Sequence, residues 1–406
     1  MAMPTSRSTP DSLTVIGASL AGLRAAEGAR QAGFTGQITM VGAETHRPYD
    51  RPPLSKQLIK GDWEPERVSL RKPEVLDALN LTWRLGVPAA SYDPATALVT
   101  LADASTVSAE AMIIANGGVV RDLPAEMTEQ LTSAGSKVTT LRTLDDALAI
   151  RQILEQPDQR VVVIGAGFIG LEVAATARTK GHRVTVLEGA PAPLIRGLGA
   201  QMGTAIADLH RGQGTEVHCG VTVDEITDAG VHCSLGVIPA DLVVVGIGVR
   251  PATDWVEGSG LIIDDGIVCD AHLRVTGPVG AEHLVYAAGD VARWHHQGLN
   301  QVIRVEHWTN AAEQGALAAT NLLAAATGAE QVPYTAVPFF WSDQPPYRIQ
   351  YLGRSGPEDE VTITEGSVEE GKWLAVYQRD GVITAALGIN NPKAVMPYRN
   401  MIGQKA

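Results

Sequence analysis

"RVVVIGAGFIGLEVAATARTKGHRVTVLE", residues 160 to 188, decides the fold. An apolar run leads into Gly165, Gly167 and Gly170, an alanine-rich stretch continues to Gly181, and a second apolar run ends on Glu188. The first glycine of such a turn supplies backbone freedom, the second leaves bare backbone for a pyrophosphate, and the third lets helix and strand pack closely. The start of the helix then offers unpaired N–H groups to an anion. Glu188 lies 23 positions after Gly165, the spacing of an acid that hydrogen-bonds a ribose. The pattern predicts a βαβ unit that binds a dinucleotide.

The same grammar occurs nearer the start. LTVIG (13 to 17) runs into Gly17-Ala18-Ser19-Leu20-Ala21-Gly22, then a helix ending near Gly33, then the strand QITMVG. Here Ser19 takes the place of the middle glycine, and the acid Glu44 lies 27 positions after Gly17. Two such turns predict two dinucleotides in one chain. HLVYAAGDVAR (283 to 293) reads as a buried strand ending at Gly289-Asp290 and leading into a helix, with Asp290 able to hydrogen-bond a polyol. LVVVGIGVRP (242 to 251) reads as a further strand closing on Gly248, Arg250 and Pro251. After about residue 330 the pattern changes: IQYLG, VTITEG, WLAVYQ and ITAALGI predict an antiparallel sheet, and NPKAVMPYRNMI a closing helix. The expected fold class is α/β, with two Rossmann-like dinucleotide-binding domains and a smaller C-terminal α+β domain.

Composition excludes other classes. At 406 residues the chain exceeds the roughly 250 to 300 at which one core stops growing, so two or three domains are expected. With 45% hydrophobic and 19% charged residues it is globular, and no window approaches the ~18 apolar residues of a membrane span. MAMPTSRSTP has no apolar signal core and reads as a tail, which makes cytoplasm the expected location. A net charge of -13 disfavours nucleic acid. Cys219, Cys233 and Cys269 are widely spaced, so reduced thiols and no metal site are expected.

YDRPPLSK (49 to 56) sets two prolines between Arg51 and Lys56. Pro52 and Pro53 have fixed φ and no N–H, so they can press a stiff corner against a ring system while the two cations project from it. Together with IGASLAG, VVIGAGFIGLEVA, GIGVRP, AAGDVAR, RVEHWTNAAEQG and FFWSDQ, this segment resembles the oxygenase-coupled NADH-dependent ferredoxin reductases. That group, the putidaredoxin and rhodocoxin reductases among it, lies within the FAD-dependent pyridine nucleotide-disulfide oxidoreductases and has a glutathione-reductase-like architecture. The resemblance implies an FAD domain from residues 1–118 and 246–330, an NADH domain at 119–245, and a C-terminal domain at 331–406. It implies that Gly17, Ser19, Leu20, Ala21 and Gly22 hold the FAD pyrophosphate and Glu44 its ribose. Arg51, Pro52 and Lys56 would stand at the flavin, with Ala89, Ala115 and Arg142 also contacting FAD. Gly289 and Asp290 would bind the ribityl chain, and Glu306, His307 and Trp308 would line the flavin's pyrimidine end. NADH would take Gly165, Gly167, Phe168, Ile169 and Gly170 with Glu188, Arg196 and Gly248. Asn116 stands where the family commonly has threonine.

Residues 1 to 218 contain no cysteine, so electrons are expected to leave the flavin without a thiol relay. The implied reaction passes a hydride from NADH to FAD, then single electrons to a 2Fe-2S ferredoxin serving a haem-thiolate monooxygenase or a ring-hydroxylating oxygenase. Two alternatives stay open: an NADH oxidase, and a flavin-bound redox sensor resembling apoptosis-inducing factor. Lys56 and Glu172 are expected to meet as the catalytic pair, with Glu172 in the first helical turn where an acid suits the dipole. Glu188 favours NADH over NADPH. Arg304, Arg348, Lys393 and Arg399 are candidate docking cations for an acidic ferredoxin, with Trp341 close to the electron exit.

Overall fold

A computed structural model describes residues 9–121 and 137–405; residues 1–8 of the expected tail lie outside them. The chain divides into two compact units, one built from the segments up to Asp50, Ser69–Val119 and Arg250–Pro338, the other from Arg51–Val68, Val120–Val249 and Phe339 onward. Residues 51–68, expected with the first segment, therefore pack in the second unit, as does the C-terminal sheet.

The first unit holds a parallel sheet in the order Leu284–Ala287, Ala111–Ile114, Ser12–Ile16, Gln37–Gly42, Leu81–Leu85. Its inner strands are apolar almost throughout because both faces are covered. Leu13, Val15, Ile113 and Val285 are fully buried. The helix Leu20–Gln31 lies against the helix Trp308–Thr327, and the approach is so close that a Cβ on Gly315 would stand 2.2 Å from the Ala21 carbonyl oxygen. A three-stranded antiparallel sheet, Ala89–Asp93, Leu98–Leu101 and Thr106–Ser108, completes the first half. After Gly289–Val291, a single 3-10 turn, the chain enters the strand Ala292–His296 in place of the expected helix. Arg293 and Trp294 pair with Arg304 and Ile303, and that antiparallel ladder outcompetes helix formation.

The second unit repeats the parallel core in the order Glu216–Cys219, Arg183–Glu188, Arg160–Ile164, Leu242–Val245, Val138–Thr140. Its C-terminal part is a five-stranded antiparallel sheet, Phe339–Gln344, Tyr347–Gly353, Val382–Ile389, Lys372–Arg379, Glu360–Ser367. Trp373 and Leu387 are buried on one face and Leu374 on the other, so its central strands are covered on both sides. Within this unit the sheet is tied to the phosphate-turn helix Phe168–Thr179 by Phe168, whose ring stands edge-on to Phe340 with centroids 4.6 Å apart. The expected closing helix is only Pro392–Val395 followed by a 3-10 turn, Met396–Asn400, because Pro397 has no N–H to continue it. No helix among the described residues is long and apolar enough to cross a membrane. All three cysteines are free; Cys233 and Cys269 are buried and Cys219 is half-buried.

Candidate functional site

The turn of the first unit is shaped by its outer two glycines. Gly17 has φ +119°, and a Cβ there would lie 2.2 Å from the Ala115 carbonyl oxygen; one on Gly22 would lie 1.8 Å from the Gly17 carbonyl oxygen. Both positions are closed to any side chain by the protein itself. Ser19 caps the helix without a side-chain hydrogen bond, and the first turn, from Leu20 and Ala21, carries no acid. The helix opening therefore presents its N–H groups and a serine hydroxyl, a donor set that fits the pyrophosphate of FAD. Glu44 accepts a hydrogen bond of 2.5 Å from the Tyr49 hydroxyl.

Around this turn the sheet ends supply further groups. Gly289, at φ +77°, donates its N–H to Gln314 Oε1 at 2.9 Å, which fixes the bend that carries Asp290. Trp308 donates its indole N–H to Asp50 at 2.7 Å. Burial pulls the His307 imidazole down to about 4, so it is neutral at physiological pH. Glu306 is held by Arg304 at 2.6 Å. Arg304 also reaches Asp265 and the Asp290 carbonyl, and its side chain is only 10% exposed. This corrects its assignment as a docking cation: a half-buried guanidinium held between two carboxylates offers a partner no net positive charge. Arg348, Lys393 and Arg399 are exposed, though Arg348 lies 3.4 Å from Asp343. Ala89 opens the small antiparallel sheet. Asn116, flagged only as a departure, donates to the Ala252 carbonyl at 2.7 Å, a bond a threonine could not span in the same way.

In the second unit the outer glycines are again demanded by the fold. A Cβ on Gly165 would stand 2.4 Å from the Gly246 carbonyl oxygen, and one on Gly170 2.3 Å from that of Gly165. Gly167 differs: the nearest atom to its added Cβ is 4.0 Å away. Nothing in the protein requires glycine there, which fits a position kept bare for a ligand pyrophosphate such as that of NADH. Glu188 turns back to the turn and accepts from the N–H groups of Ala166 at 2.6 Å and Ala190 at 2.8 Å. Ile169 is 43% exposed and Arg196 is exposed on the helix Ile195–Gly212. Gly248 has φ +99° and its carbonyl accepts from the Arg121 N–H at 3.1 Å.

Lys56 and Glu172 meet. After Pro52 and Pro53 the chain makes a π-helical turn, Leu54–Leu58, closed by the Leu58 N–H on the Pro53 carbonyl at 3.0 Å. Such turns are rare and re-aim side chains. Lys56 Nζ reaches Glu172 Oε2 at 2.6 Å and the Pro52 carbonyl at 2.9 Å. Both charged groups are buried, at 8% and 5% exposure, where an unpaired charge is costly. Arg51 donates to the Arg142 carbonyl in the same unit. Glu172 lies beyond the first helical turn, which carries no acid; burial against Lys56, not the helix dipole, explains it. The sequence reading missed Ser55 and Ser342, which also donate to Glu172, at 2.5 and 2.6 Å. Ser55 sits in the PPLSK motif and Ser342 in FFWSDQ, and the motifs gave no sign that they converge.

Comparison with known proteins agrees with this geometry. Residues 11–315 match the pyridine nucleotide-disulphide oxidoreductase family and residues 339–406 the reductase C-terminal family. Putidaredoxin reductase of Pseudomonas putida is 33% identical, over 94% of this chain and 89% of its own. Rhodocoxin reductase of Rhodococcus erythropolis is 34% identical, over 96% and 89%. A chain in the crystal structure of the covalent putidaredoxin reductase-putidaredoxin complex superposes with a TM-score of 0.88 at 32% identity, covering 97% of this chain and 93% of that one. This chain belongs to the pyridine nucleotide-disulphide oxidoreductase family and carries its reductase C-terminal domain.

Proposed function

We propose that the protein is an NADH-dependent ferredoxin reductase that delivers electrons to a 2Fe-2S ferredoxin supplying an oxygenase. The observation that carries this reading is the likeness, over nearly the whole chain, to putidaredoxin reductase and to rhodocoxin reductase, spanning both phosphate turns and the C-terminal domain. The chemistry agrees: with no cysteine before Cys219, no thiol relay follows the flavin. The oxidase alternative has fold-level likeness alone, since a water-forming NADH oxidase shares 21% identity at a TM-score of 0.82.

When bound, FAD supplies the exchange between a two-electron donor and one-electron acceptors. The chain's own residues do the rest. The turn Gly17–Gly22 holds the FAD pyrophosphate and the turn Gly165–Gly170 that of NADH; Glu44 and Glu188 accept from ribose hydroxyls, and Asp290 from the ribityl chain. Lys56, fixed by Glu172, provides a cation for the negative charge that builds on reduction. Glu188 repels a 2'-phosphate, so NADH is preferred. The division into an FAD domain, an inserted NADH domain and a C-terminal domain is part of this proposal, as is a cytoplasmic location. The oxygenase is of the haem-thiolate or the ring-hydroxylating kind. A panel of 2Fe-2S ferredoxins assayed for NADH-dependent reduction tests it: at least one is reduced at a rate well above that of oxygen consumption. If no ferredoxin is reduced while oxygen is consumed rapidly, the oxidase alternative takes its place.

A further inference from the structure

Glu172 is the end of a longer buried chain. Its Oε2 takes Lys56 and Ser55, and its Oε1 takes Ser342 Oγ at 2.6 Å. Ser342 Oγ in turn receives Gln344 Nε2 at 3.1 Å, and Gln344 Oε1 lies 2.7 Å from His210 Nε2. Ser342, Gln344 and His210 are 1%, 1% and 4% exposed, so water does not compete for these bonds. His210 lines a cavity of about 290 Å³ with Arg178, Thr179, Gln213, Thr215 and Tyr347. No part of the proposed reaction uses the three residues.

The chain has a direction. Lys56 can only donate, and with the Ser55 hydroxyl it favours an ionised Glu172, which can only accept. The 2.6 Å contact to Ser342 then requires the serine proton to point at Glu172. Ser342 is left to accept, which turns the amide NH₂ of Gln344 toward it and the amide oxygen toward His210. The imidazole must therefore carry its proton on Nε2. In the opposite direction, Gln344 would donate to His210, Ser342 would donate to Gln344, and only a protonated Glu172 could supply the hydrogen between it and Ser342. Ionisation at one end and tautomer at the other are thus one choice. Burial lowers the His210 pKa, opposed in part by Gln344, so the ring carries a single proton at neutral pH and the tautomer matters. The charged or titratable groups beside it in the cavity are Arg178 and Tyr347; at the other end Lys56 faces Glu172.

We propose that His210, Gln344 and Ser342 are positioning residues for Glu172: the Nε2–H of His210 orients the Gln344 amide, the amide orients the Ser342 hydroxyl, and the hydroxyl holds Glu172 ionised against Lys56. The proposal rests on the assignment of Lys56 and Glu172 to the reaction above. It predicts that a change at His210, two hydrogen-bonded residues away, alters the state of the Glu172 carboxyl.

The test is infrared difference spectroscopy of the oxidised holoprotein against its variants, with the Glu172 bands assigned by their loss in Glu172→Gln. In Ser342→Ala the carboxylate band moves, as expected for loss of one hydrogen bond to a charged group. His210→Phe moves the band in the same direction by less, and Ser342→Thr and His210→Gln, which keep a donor, stay near the unmodified protein. Gln344→Met repeats the break at the middle of the chain should His210→Phe not fold. A band position unchanged in Ser342→Ala and in the His210 or Gln344 variant overturns the proposal. Failure of the unmodified protein to reduce any ferredoxin strikes the proposed function and leaves the infrared result standing.

Discussion

The two phosphate turns, Gly17–Gly22 and Gly165–Gly170, are built on the same scaffold and differ where a ligand would touch them. In both, the first and third glycines are imposed by backbone within 2.4 Å of where a Cβ would sit. At the middle position one turn has Ser19 and the other Gly167, whose added Cβ would meet nothing closer than 4.0 Å. The fold requires the outer pair; the middle residue is free to be chosen for the ligand. Both acids are held by hydrogen bonds, Glu188 from the Ala166 N–H of its own turn and Glu44 from the Tyr49 hydroxyl. The sheets are also permuted, since the outer strand beside the crossover is Leu284–Ala287, late in the chain, in one unit and Val138–Thr140, early, in the other.

The comparison breaks most visibly at the outer glycines. Gly22→Ala and Gly170→Ala each drive a methyl group into backbone, and both are expected to abolish soluble, flavin-containing protein; expression yield and circular dichroism check this. Gly167→Ser, which copies the first turn into the second, should leave the melting temperature within about 2 °C and raise KM for NADH several-fold. An unfolded Gly167→Ser protein would show that the fold needs that glycine too.

Removing the cation is the next largest effect. Lys56→Met leaves Glu172 buried without a counter-charge and should cost about 3 to 5 kcal/mol in urea unfolding. Lys56→Met combined with Glu172→Gln should recover much of that loss while NADH reduction of the flavin stays slow. No recovery in the double variant would mean the destabilisation comes from packing of the lysine stem.

Coenzyme choice should respond less strongly. The unmodified protein is expected to favour NADH over NADPH by at least about tenfold in kcat/KM, a difference of ~1.4 kcal/mol, and Glu188→Gln to narrow the gap. Equal kcat/KM for the two coenzymes in the unmodified protein would remove Glu188 from that role.

The smallest effect separates the two sheets by pH. Arg160 and Asp241 pin the starts of two neighbouring strands at 2.6 Å, and the hydrogen bonds from Arg160 bring Asp241 down to about 2. At the matching positions the first unit has the uncharged Ser12 where the second has Arg160, and Glu110 where it has Asp241. A depressed carboxylate stabilises the fold above its unfolded pKa of ~3.9 and loses that contribution as pH falls toward 2. Asp241→Asn should therefore cost about 0.5 to 1 kcal/mol at pH 7, solvent screening included, with the gap closing between pH 4 and 2. A gap independent of pH would point to the hydrogen bonds alone.

Both βαβ units were legible because glycine spacing, apolar runs and the terminal acid are local signals. The antiparallel C-terminal sheet was legible from short apolar runs rich in β-branched and aromatic residues. The segment after Gly289 was not, because AAGDVAR suits a helix locally and only pairing with residues near Arg304 makes it a strand. The π-helical turn that aims Lys56 has no sequence signature of its own. Arg304 looked available because its carboxylate partners Asp265 and Glu306 are brought to it by the fold. Ser342 lies 170 positions from Glu172, and such convergence is set by packing alone.

The most direct test of the account is an anaerobic stopped-flow experiment in two stages. Mixing the oxidised holoprotein with NADH should bleach the flavin, and a second mix with an oxidised 2Fe-2S ferredoxin should reoxidise it while two ferredoxins are reduced per flavin. Flavin that is reduced by NADH, stays reduced with every ferredoxin, and is reoxidised only on admission of oxygen would contradict it.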